Sequence, residues 1–414
     1  MTQDRVPVNI TIRDILKRIN SEMKDGSPSN AKKMLSDAHK RFPKNAHLLK
    51  LKADMAETDR LWNETIKFRR QAIQHCPPNR FFFHHNLLTR TLLNKGEHQK
   101  CRTRIHRELS TWADKPRIRA TAEAYAKVTG DFDLILPIWR EMVFSEKADK
   151  HTAIKLARVE IKLASPENAL KALRKALDDH PDDLYLSFNE VLAIYEKGDY
   201  QLAGELSKKI TARIDCPDQI KESLAKILVA VGEESGLKPA DKMHLNTVSE
   251  LNDNGEEIII HRVTSSNQVL LVFTGMAKKG GLSLRELHQF IAPSNTNIIY
   301  LRDNRLLAFT CGLESKGACL SETFKWLRSI FNEWSIGNVF CFGNSAGGFA
   351  AIRYGIELAA VRILVFSSPT SFTSEVTSKD GRGRIFMNRI QKLAPTEAID
   401  LRDKIGRASC RERV

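Results

Sequence analysis

The chain of 414 residues lacks the long apolar run that a membrane-spanning helix needs. Such a helix requires about 20 consecutive apolar residues, and no run here approaches that length. The N-terminus has no apolar stretch behind a basic start, so we expect neither a secretory signal nor a membrane span. With 42% hydrophobic and 28% charged residues, the composition favours a cytoplasmic globular protein of two or three domains.

Cysteine pairs of the kind that bind metals or form a disulfide framework are also missing. The seven cysteines are scattered and include no Cys-x-x-Cys pair, which is typical of a reduced protein without a metal site. The stretch "RFFFHHNLL" contains His84 beside His85, but neighbouring residues on a helix point in different directions. We therefore interpret it as core packing with surface histidine rather than as a metal or nucleic-acid site.

No long basic block accompanies the formal net charge of +15. The lysines and arginines are spread along the chain, which indicates solvated helix faces and predicts no nucleic-acid partner. The excess of positive charge nevertheless favours acidic partners over basic ones.

The last ten residues, "IGRASCRERV" (405–414), match a sequence that is not expected in a gene. They are the translation of ATC GGA AGA GCG TCG TGT AGG GAA AGA GTG, which corresponds to a common short-read sequencing adapter. We hypothesise that the reading frame runs into an untrimmed adapter and that the natural sequence is cut short near Lys404. A genuine basic tail is the alternative, and resequencing of the locus distinguishes the two. These residues are left out of the fold prediction.

Helix-breaking points recur along the N-terminal half at steps of about 34 residues. They are Gly26, Asp59-Arg60, Gly96, Gly130, Ala164-Ser165 and Gly198. Amphipathic segments such as "SPSNAKKMLSDAHKRFPKN" and "SPENALKALRKALDDHPDD" follow them. Several of these segments end at a proline, which cannot continue a helix.

This pattern resembles the tetratricopeptide-repeat family over roughly residues 10–232, as five or six degenerate units. The resemblance implies an all-α solenoid of stacked helix pairs with a groove for a protein or peptide partner. An irregular helical bundle is the alternative.

The composition changes after Val231, where the chain becomes rich in Gly, Pro, Asn and acidic residues. We place a domain boundary near residue 235, which gives a helical-repeat domain at 1–235 and a second domain at 236–404. The second domain alternates helical segments with β-rich runs: "EEIIIHRVT", "NQVLLVFTG", "TNIIYLRD", "NVFCFGN" and "VRILVFSS". Apolar strands joined by helices indicate an α/β domain with a mostly parallel sheet.

A Gly-x-Ser-x-Gly motif joins the fourth of these runs to an Ala-rich helix, in "NVFCFGNSAGGFAAIRYG" (338–355). Gly343, Ser345 and Gly347 occupy the motif, which resembles the nucleophile elbow of the α/β-hydrolase family. The resemblance implies a serine hydrolase or acyltransferase that acts on acyl esters, with Ser345 as the nucleophile. The small residues let the strand and the helix approach closely at the turn.

The same resemblance implies an oxyanion hole made of two backbone N–H groups. Ala346 follows the nucleophile and is the first donor. The second donor is expected in "FTGMAKKGGLSL", where we choose Met276, with Ala277 next. Thr274 stands where many relatives have histidine.

Two alternative interpretations of these glycines lack their partner residues. Gly275 and Gly280 have phosphate-loop spacing, but Gly281-Leu282 stands where Lys-Ser/Thr is needed. The glycines from Gly343 to Gly348 loosely resemble a dinucleotide loop, yet the next strand ends without an acid for a ribose. We therefore predict no cofactor.

A proton acceptor for Ser345 is missing from the downstream sequence. The family order is Ser, then Asp or Glu, then His, but the last of the twelve histidines is His288. Neither His288 nor His261 has a precedent as base, and we expect packing or surface roles for His288. We expect the catalytic acid and histidine beyond Lys404, so this truncated chain should be nearly inert. The alternative is a non-catalytic interaction protein that uses the hydrolase-like sheet as a scaffold.

Overall fold

A computed structural model describes residues 11–24, 27–231, 251, 256–278, 280–317, 319–377 and 383–405. The predicted break at Gly26, the boundary near residue 235 and residues 406–414 of the adapter-like tail lie outside these ranges. The chain divides into two compact units, Met1–Ile135 and Leu136–Val414, which we call the helical unit and the sheet unit.

The helical unit consists of helices in which each packs against the next along the chain. They are α1 (Ile12–Lys24), α2 (Pro28–Arg41), α3 (Ala46–Thr58), α4 (Trp62–His75), α5 (Phe81–Lys95), α6 (His98–Trp112) and α7 (Pro116–Thr129). Small residues such as Ala31, Ala53 and Ala72 are fully buried where these helices meet.

The sheet unit begins with further helices of the same kind. They are α8 (Leu136–Val143), α9 (Lys150–Lys162), α10 (Pro166–Asp179), α11 (Leu184–Lys197), α12 (Tyr200–Thr211) and α13 (Asp218–Ala230). Pro137 lies in the first turn of α8, where its missing N–H and fixed φ are tolerated.

Every predicted break that the structure describes contains a left-handed residue. The φ angles are 58° at Arg60, 84° at Gly96, 74° at Gly130, 58° at Ala164 and 98° at Gly198. A left-handed residue ends one helix and lets the next fold back against it. The predicted tetratricopeptide-like helix pairs are thus confirmed as a local pattern in each unit.

The histidine pair in α5 differs from the prediction in one respect. His84 is buried, with only 6% of its surface exposed, whereas His85 is half-buried. The interpretation as core packing is correct, but His84 is not a surface histidine. The start of α5 packs closely enough to enclose its ring.

Five strands of the described ranges form one mixed sheet in the sheet unit, and all five predicted runs contribute. They are β1 (Ile258–His261), β2 (Gln268–Phe273), β3 (Asn297–Leu301), β4 (Asn338–Asn344) and β5 (Arg362–Phe366). Their order is β1-β3-β2-β4-β5, with β1 antiparallel to β3 and the other pairings parallel. The helices among and after them are α14 (Leu284–Ile291), α15 (Leu320–Glu333), α16 (Ala346–Glu357), α17 (Ser374–Thr377) and α18 (Arg384–Leu393).

The sheet is buried at its centre and open at one edge. Every residue of β3 is buried, as are Val269 and Phe273 of β2. Strand β5 lies at the edge and pairs only with β4 among the described strands. Its side chains remain largely exposed, at 55% for Leu364 and 52% for Phe366.

The strand order reverses between β2 and β4. The chain passes from β2 to β3 on one side and then returns to place β4 on the other side of β2. In open α/β sheets, ligands bind outside the carboxyl ends of the strands at such a switch point. Both predicted site segments, after β2 and after β4, lie at this position.

Candidate functional site

Ser345 joins β4 to α16 in a strained backbone conformation, with φ 56° and ψ −123°. Its N–H donates to the carbonyl oxygen of Phe366 (2.9 Å), and its own carbonyl accepts from Gly348 N–H (3.0 Å). A non-glycine residue in this region costs about 1–3 kcal/mol and persists only when its surroundings hold it. The turn leaves the Ser345 side chain exposed.

Two glycines of the motif lie where the backbone of a neighbouring element leaves no room for a side chain. A Cβ on Gly343 would lie 2.1 Å from the Gly347 carbonyl oxygen. A Cβ on Gly347 would lie 2.2 Å from the Phe273 oxygen and 2.6 Å from the Thr274 oxygen. Both glycines are therefore needed for the first turn of α16 to approach β4 and the end of β2.

The two predicted oxyanion donors belong to one neighbourhood. Ala346 opens α16 and is buried, and Met276 packs against the apolar cluster that contains Ala346. No acceptor for the N–H of Ala346 or of Met276 is present among the described residues. Ala277, the second choice, is exposed. Unpaired backbone N–H groups are the kind of donor that an oxyanion hole uses.

The loop after β2 is fixed on both sides. Lys278, which is left-handed (φ 55°), donates from Nζ to the carbonyl oxygen of Glu196 in α11 (2.7 Å). Burial lowers the pKa of Lys278, although Glu196 opposes this effect. On the other side, a Cβ on Gly281 would lie 3.3 Å from Asn344 Nδ2, so the loop passes close to the end of β4.

Asp303 was not identified from the sequence, although it organises the loop after β3. Its Oδ2 accepts from the N–H groups of Leu307 (2.6 Å) and Phe309 (2.9 Å). Burial raises the pKa of this carboxyl, against the opposing effect of the two N–H groups. The only available signal was its position in "LRDNR", directly after an apolar strand.

The loop that Asp303 holds forms part of the apolar surroundings of the elbow. Leu306, Ala308 and Phe309 are left-handed, with φ angles of 52°, 54° and 59°. Ala308 packs in the same apolar cluster as Ala346. The loop therefore contains three left-handed residues, of which Ala308 packs in the cluster of Ala346.

Ser345 Oγ makes no hydrogen bond to any described residue. His288 is buried, and its Nδ1 lies 2.7 Å from the hydroxyl of Tyr300. The ring of His261 packs against that of His288 with centroids 4.8 Å apart. The packing role predicted for His288 is confirmed, and neither histidine is bonded to the serine.

Two further properties concern the described ranges as a whole. Within them, no group of three His, Cys, Asp or Glu side chains is arranged to hold a metal ion. No helix in the same ranges is long and apolar enough to cross a membrane.

The helical unit has grooves on two faces of α5. One, between α5 and α7, encloses about 470 Å³ and is lined by Phe83, Asn86, Leu87, Arg90, Arg117, Ala120, Thr121 and Ala124. The other, between α4 and α6, encloses about 780 Å³ and uses the opposite side of α5, with Leu88, Leu92 and Lys95. We call them the α5–α7 groove and the α4–α6 groove.

No protein-family model matches the chain, and no curated protein matches it. One similar solved structure is PilW, a widely conserved type IV pilus biogenesis factor (13% identity, 51% of this chain and 97% of that chain, TM-score 0.33). Another is a tetratricopeptide repeat protein from Parabacteroides merdae (12%, 54% and 86%, TM-score 0.31). A third is a TPR protein from Thermus thermophilus (14%, 52% and 98%, TM-score 0.21). Because these TM-scores are low, the helix-pair assignment rests on the left-handed breaks and the helix packing.

Proposed function

We propose that this chain is a protein-interaction scaffold whose helix pairs bind a peptide segment of a partner protein. The observation that carries the proposal is the α5–α7 groove. Apolar Phe83 and Leu87 line it beside the cationic Arg90 and Arg117. A groove that combines apolar anchors with a few charged groups suits a peptide, because it provides both burial and orientation.

The wall of this groove is held in place before any partner binds. Asn86 Nδ2 donates to Thr121 Oγ1 (2.8 Å) and to the Arg117 carbonyl oxygen (3.4 Å), which links α5 to α7. The guanidinium of Arg117 lies 5.2 Å from the centre of the Phe83 ring. A preformed surface loses less entropy on binding, so less of the contact energy is spent on ordering the groove.

Selection of a peptide library against the full chain tests this proposal. Ala124 lines the groove and is exposed, so Ala124→Trp should fill the groove without disturbing the core. The matched control is Ala212→Trp, at an exposed position outside the groove. Selected peptides should bind the wild type and the control but lose at least about tenfold in affinity for Ala124→Trp. Equal binding to all three proteins contradicts the proposal.

A second candidate function is acyl-ester hydrolysis or acyl transfer at Ser345, of the α/β-hydrolase type. The specific observation that favours it is the strained backbone of Ser345 above two glycines that tolerate no side chain. This is the local geometry by which a strand-to-helix turn exposes a nucleophile. The α/β-hydrolase-like domain at 236–404 is part of this proposal.

In this reaction, Ser345 Oγ would attack the acyl carbonyl and lose its proton to a base, while the N–H groups of Ala346 and Met276 bind the developing oxyanion. Collapse of the tetrahedral intermediate would break the ester bond and expel the alcohol, which takes up that proton. Loss of one such donor typically lowers the rate by about 10²–10³. The hydroxyl also needs a base, and the described residues provide none within hydrogen-bond reach. The expected acid and histidine beyond Lys404 remain a prediction.

Fluorophosphonate labelling tests the second candidate. We expect little labelling of the 414-residue chain and efficient labelling of the product of the resequenced locus, if that product contains the downstream histidine. Ser345→Ala should abolish the labelling. Labelling that persists in this variant, or its absence in a histidine-containing product, leaves only the interaction function.

A further inference from the structure

The α4–α6 groove is strongly cationic. Its charged lining residues are six cations and one acid: Lys67, Arg70, Lys95, Lys100, Arg104, Arg107 and Glu97. The volume of about 780 Å³ falls within the range of specific binding pockets, which is about 300–1,000 Å³. The spread of charge along the sequence conceals this cluster, because the cations come from three successive helices.

Only part of this positive charge is neutralised within the protein. Glu97 bridges Lys95 and Lys100, with both N–O distances at 2.6 Å. These two lysines hold the pKa of Glu97 at about 2. Lys67, Arg70 and Arg107 form no ion pair with any described residue. Their side chains are free to bind an anionic group from outside.

The arginines are close enough to affect one another. Burial lowers the pKa of Arg104, and Arg107 and Arg70 lower it further, although Glu108 opposes the effect. Arg104 is fixed by Thr89 Oγ1 (3.1 Å), to which its Nε donates. Crowded like charges destabilise the free protein, and an acidic ligand relieves this repulsion.

The floor of the groove distinguishes between classes of acidic ligand. It consists of the apolar side chains of Ile66, Leu88 and Leu92. No aromatic side chain lines the groove, whereas single-stranded nucleic acids are usually bound by stacking on aromatic rings. Arginine forks match the geometry of carboxylates, and an apolar floor matches an aliphatic side chain.

We propose that the α4–α6 groove binds an acidic peptide segment of a partner protein. Its carboxylates would contact Lys67, Arg70 and Arg107, and one of its apolar side chains would pack on the floor of Ile66, Leu88 and Leu92. The inference rests on the proposed interaction function and adds a second surface, with its own ligand chemistry. The two grooves lie on different sides of α5, so a partner can be excluded from one without blocking the other.

A fluorescein-labelled peptide of glutamates, with leucine at every third or fourth position, is the probe for the full chain. The test variant is Arg70→Glu combined with Arg107→Glu. The control combines Arg18→Glu with Lys33→Glu, which are exposed positions of the same unit outside the groove. Both double variants carry the same net charge, so general attraction cannot explain a difference between them. Circular dichroism checks that each variant folds.

We expect wild type and control to bind the peptide equally, and the groove variant to bind at least about tenfold more weakly. Ile66→Ala should weaken binding severalfold through the lost apolar contact. Equal affinities for the two double variants, or no binding by the wild type at low salt, overturn the inference. It is also overturned if an oligothymidine displaces the peptide with the same dependence on Arg70 and Arg107. If the library peptides still bind Ala124→Trp more weakly than the wild type, the proposed interaction function at the α5–α7 groove stands although this inference fails.

Discussion

Replacement of Gly347 by alanine provides a sharp test of the close approach between α16 and β2. Gly347 lies inside a helix, where alanine would ordinarily stabilise the protein by about 0.5–1 kcal/mol. Here the new methyl group would lie 2.2 Å from the carbonyl oxygen of Phe273 and 2.6 Å from that of Thr274. Since both neighbours are backbone atoms, the helix or the strand must move.

The sign of the change in the free energy of unfolding therefore distinguishes an ordinary helical glycine, which alanine improves, from a glycine that a close backbone contact requires. Overpacking of a well-packed interior costs about 1–3 kcal/mol. We expect Gly347→Ala to lower the free energy of unfolding of the sheet unit by about this amount. The same change at Gly355, in the same helix, brings the methyl group 2.5 Å from Ile363 Cδ1. Ile363 is an exposed side chain that can rotate away, so Gly355→Ala should be neutral or slightly stabilising.

Hydrogen exchange measured by mass spectrometry on peptides from β2 and β4 is the appropriate assay. A chain with two compact units does not unfold in one step, so a single melting temperature would mix their transitions. A loss of about 1–3 kcal/mol speeds exchange through opening of the sheet by roughly 5- to 150-fold. Peptides from α2 and α3 in the helical unit provide an internal control and should not change.

If β2 and β4 exchange hydrogen as slowly in Gly347→Ala as in Gly355→Ala, the claim that the elbow requires glycine at position 347 is refuted. The glycine would then be incidental, and the close contact that positions Ser345 would have no energetic role. Slower exchange than in the wild type would contradict the geometry even more directly.

Three other perturbations have expected outcomes. Ser345→Gly should raise the stability of the sheet unit by about 1 kcal/mol, measured by hydrogen exchange of peptides from β4, because relief of backbone strain exceeds the entropy cost of glycine, whereas Ser345→Ala should not. Asp303→Ala should lower the free energy of unfolding by at least about 1–3 kcal/mol and speed hydrogen exchange in residues 306–310, because two buried N–H groups lose their acceptor. Unchanged exchange in this loop would count against the organising role of Asp303. Burial lowers the pKa of both His84 and His85, with further lowering by Arg69 and Arg104 respectively. The unfolded chain therefore binds more protons below about pH 6.5, so the helical unit should lose stability as the pH falls from 6.5. His85→Gln should reduce this dependence, measured by hydrogen exchange of peptides from α5 and α6 after correction for the intrinsic pH dependence of exchange.

The regular elements could be predicted because their signals are local. Each strand appears in the sequence as an apolar run, and each helix break as a recurring position at the tetratricopeptide spacing. Arg60 and Ala164 show that the spacing carries more information than the residue type. Both adopt the left-handed conformation that glycine supplies at Gly96 and Gly198. Neighbouring helices impose this conformation, although it is less favourable for residues with a side chain.

The tertiary part of the site could not be predicted. The motif around Ser345 indicated the turn, because the glycines that permit it are adjacent in the sequence. The role of Asp303 depends on the fold, since burial of its carboxyl and its bonds to the following loop arise only when β3 is inside the sheet. The bond from Lys278 to Glu196 likewise joins segments 82 residues apart. No local pattern encodes such a pairing.

Strand β5 has a consequence for handling the protein. Among the described residues no further strand pairs with the outer border of this strand, and its backbone donors and acceptors next to Leu364 and Phe366 can act as a template for another extended chain. At high concentration, the β5 strands of two molecules would pair through their backbone groups. The apolar side chains of Leu364 and Phe366 would then be buried in the contact. Self-association of the 414-residue chain during purification is the expected result, and a lysine introduced along that border is the natural way to prevent it.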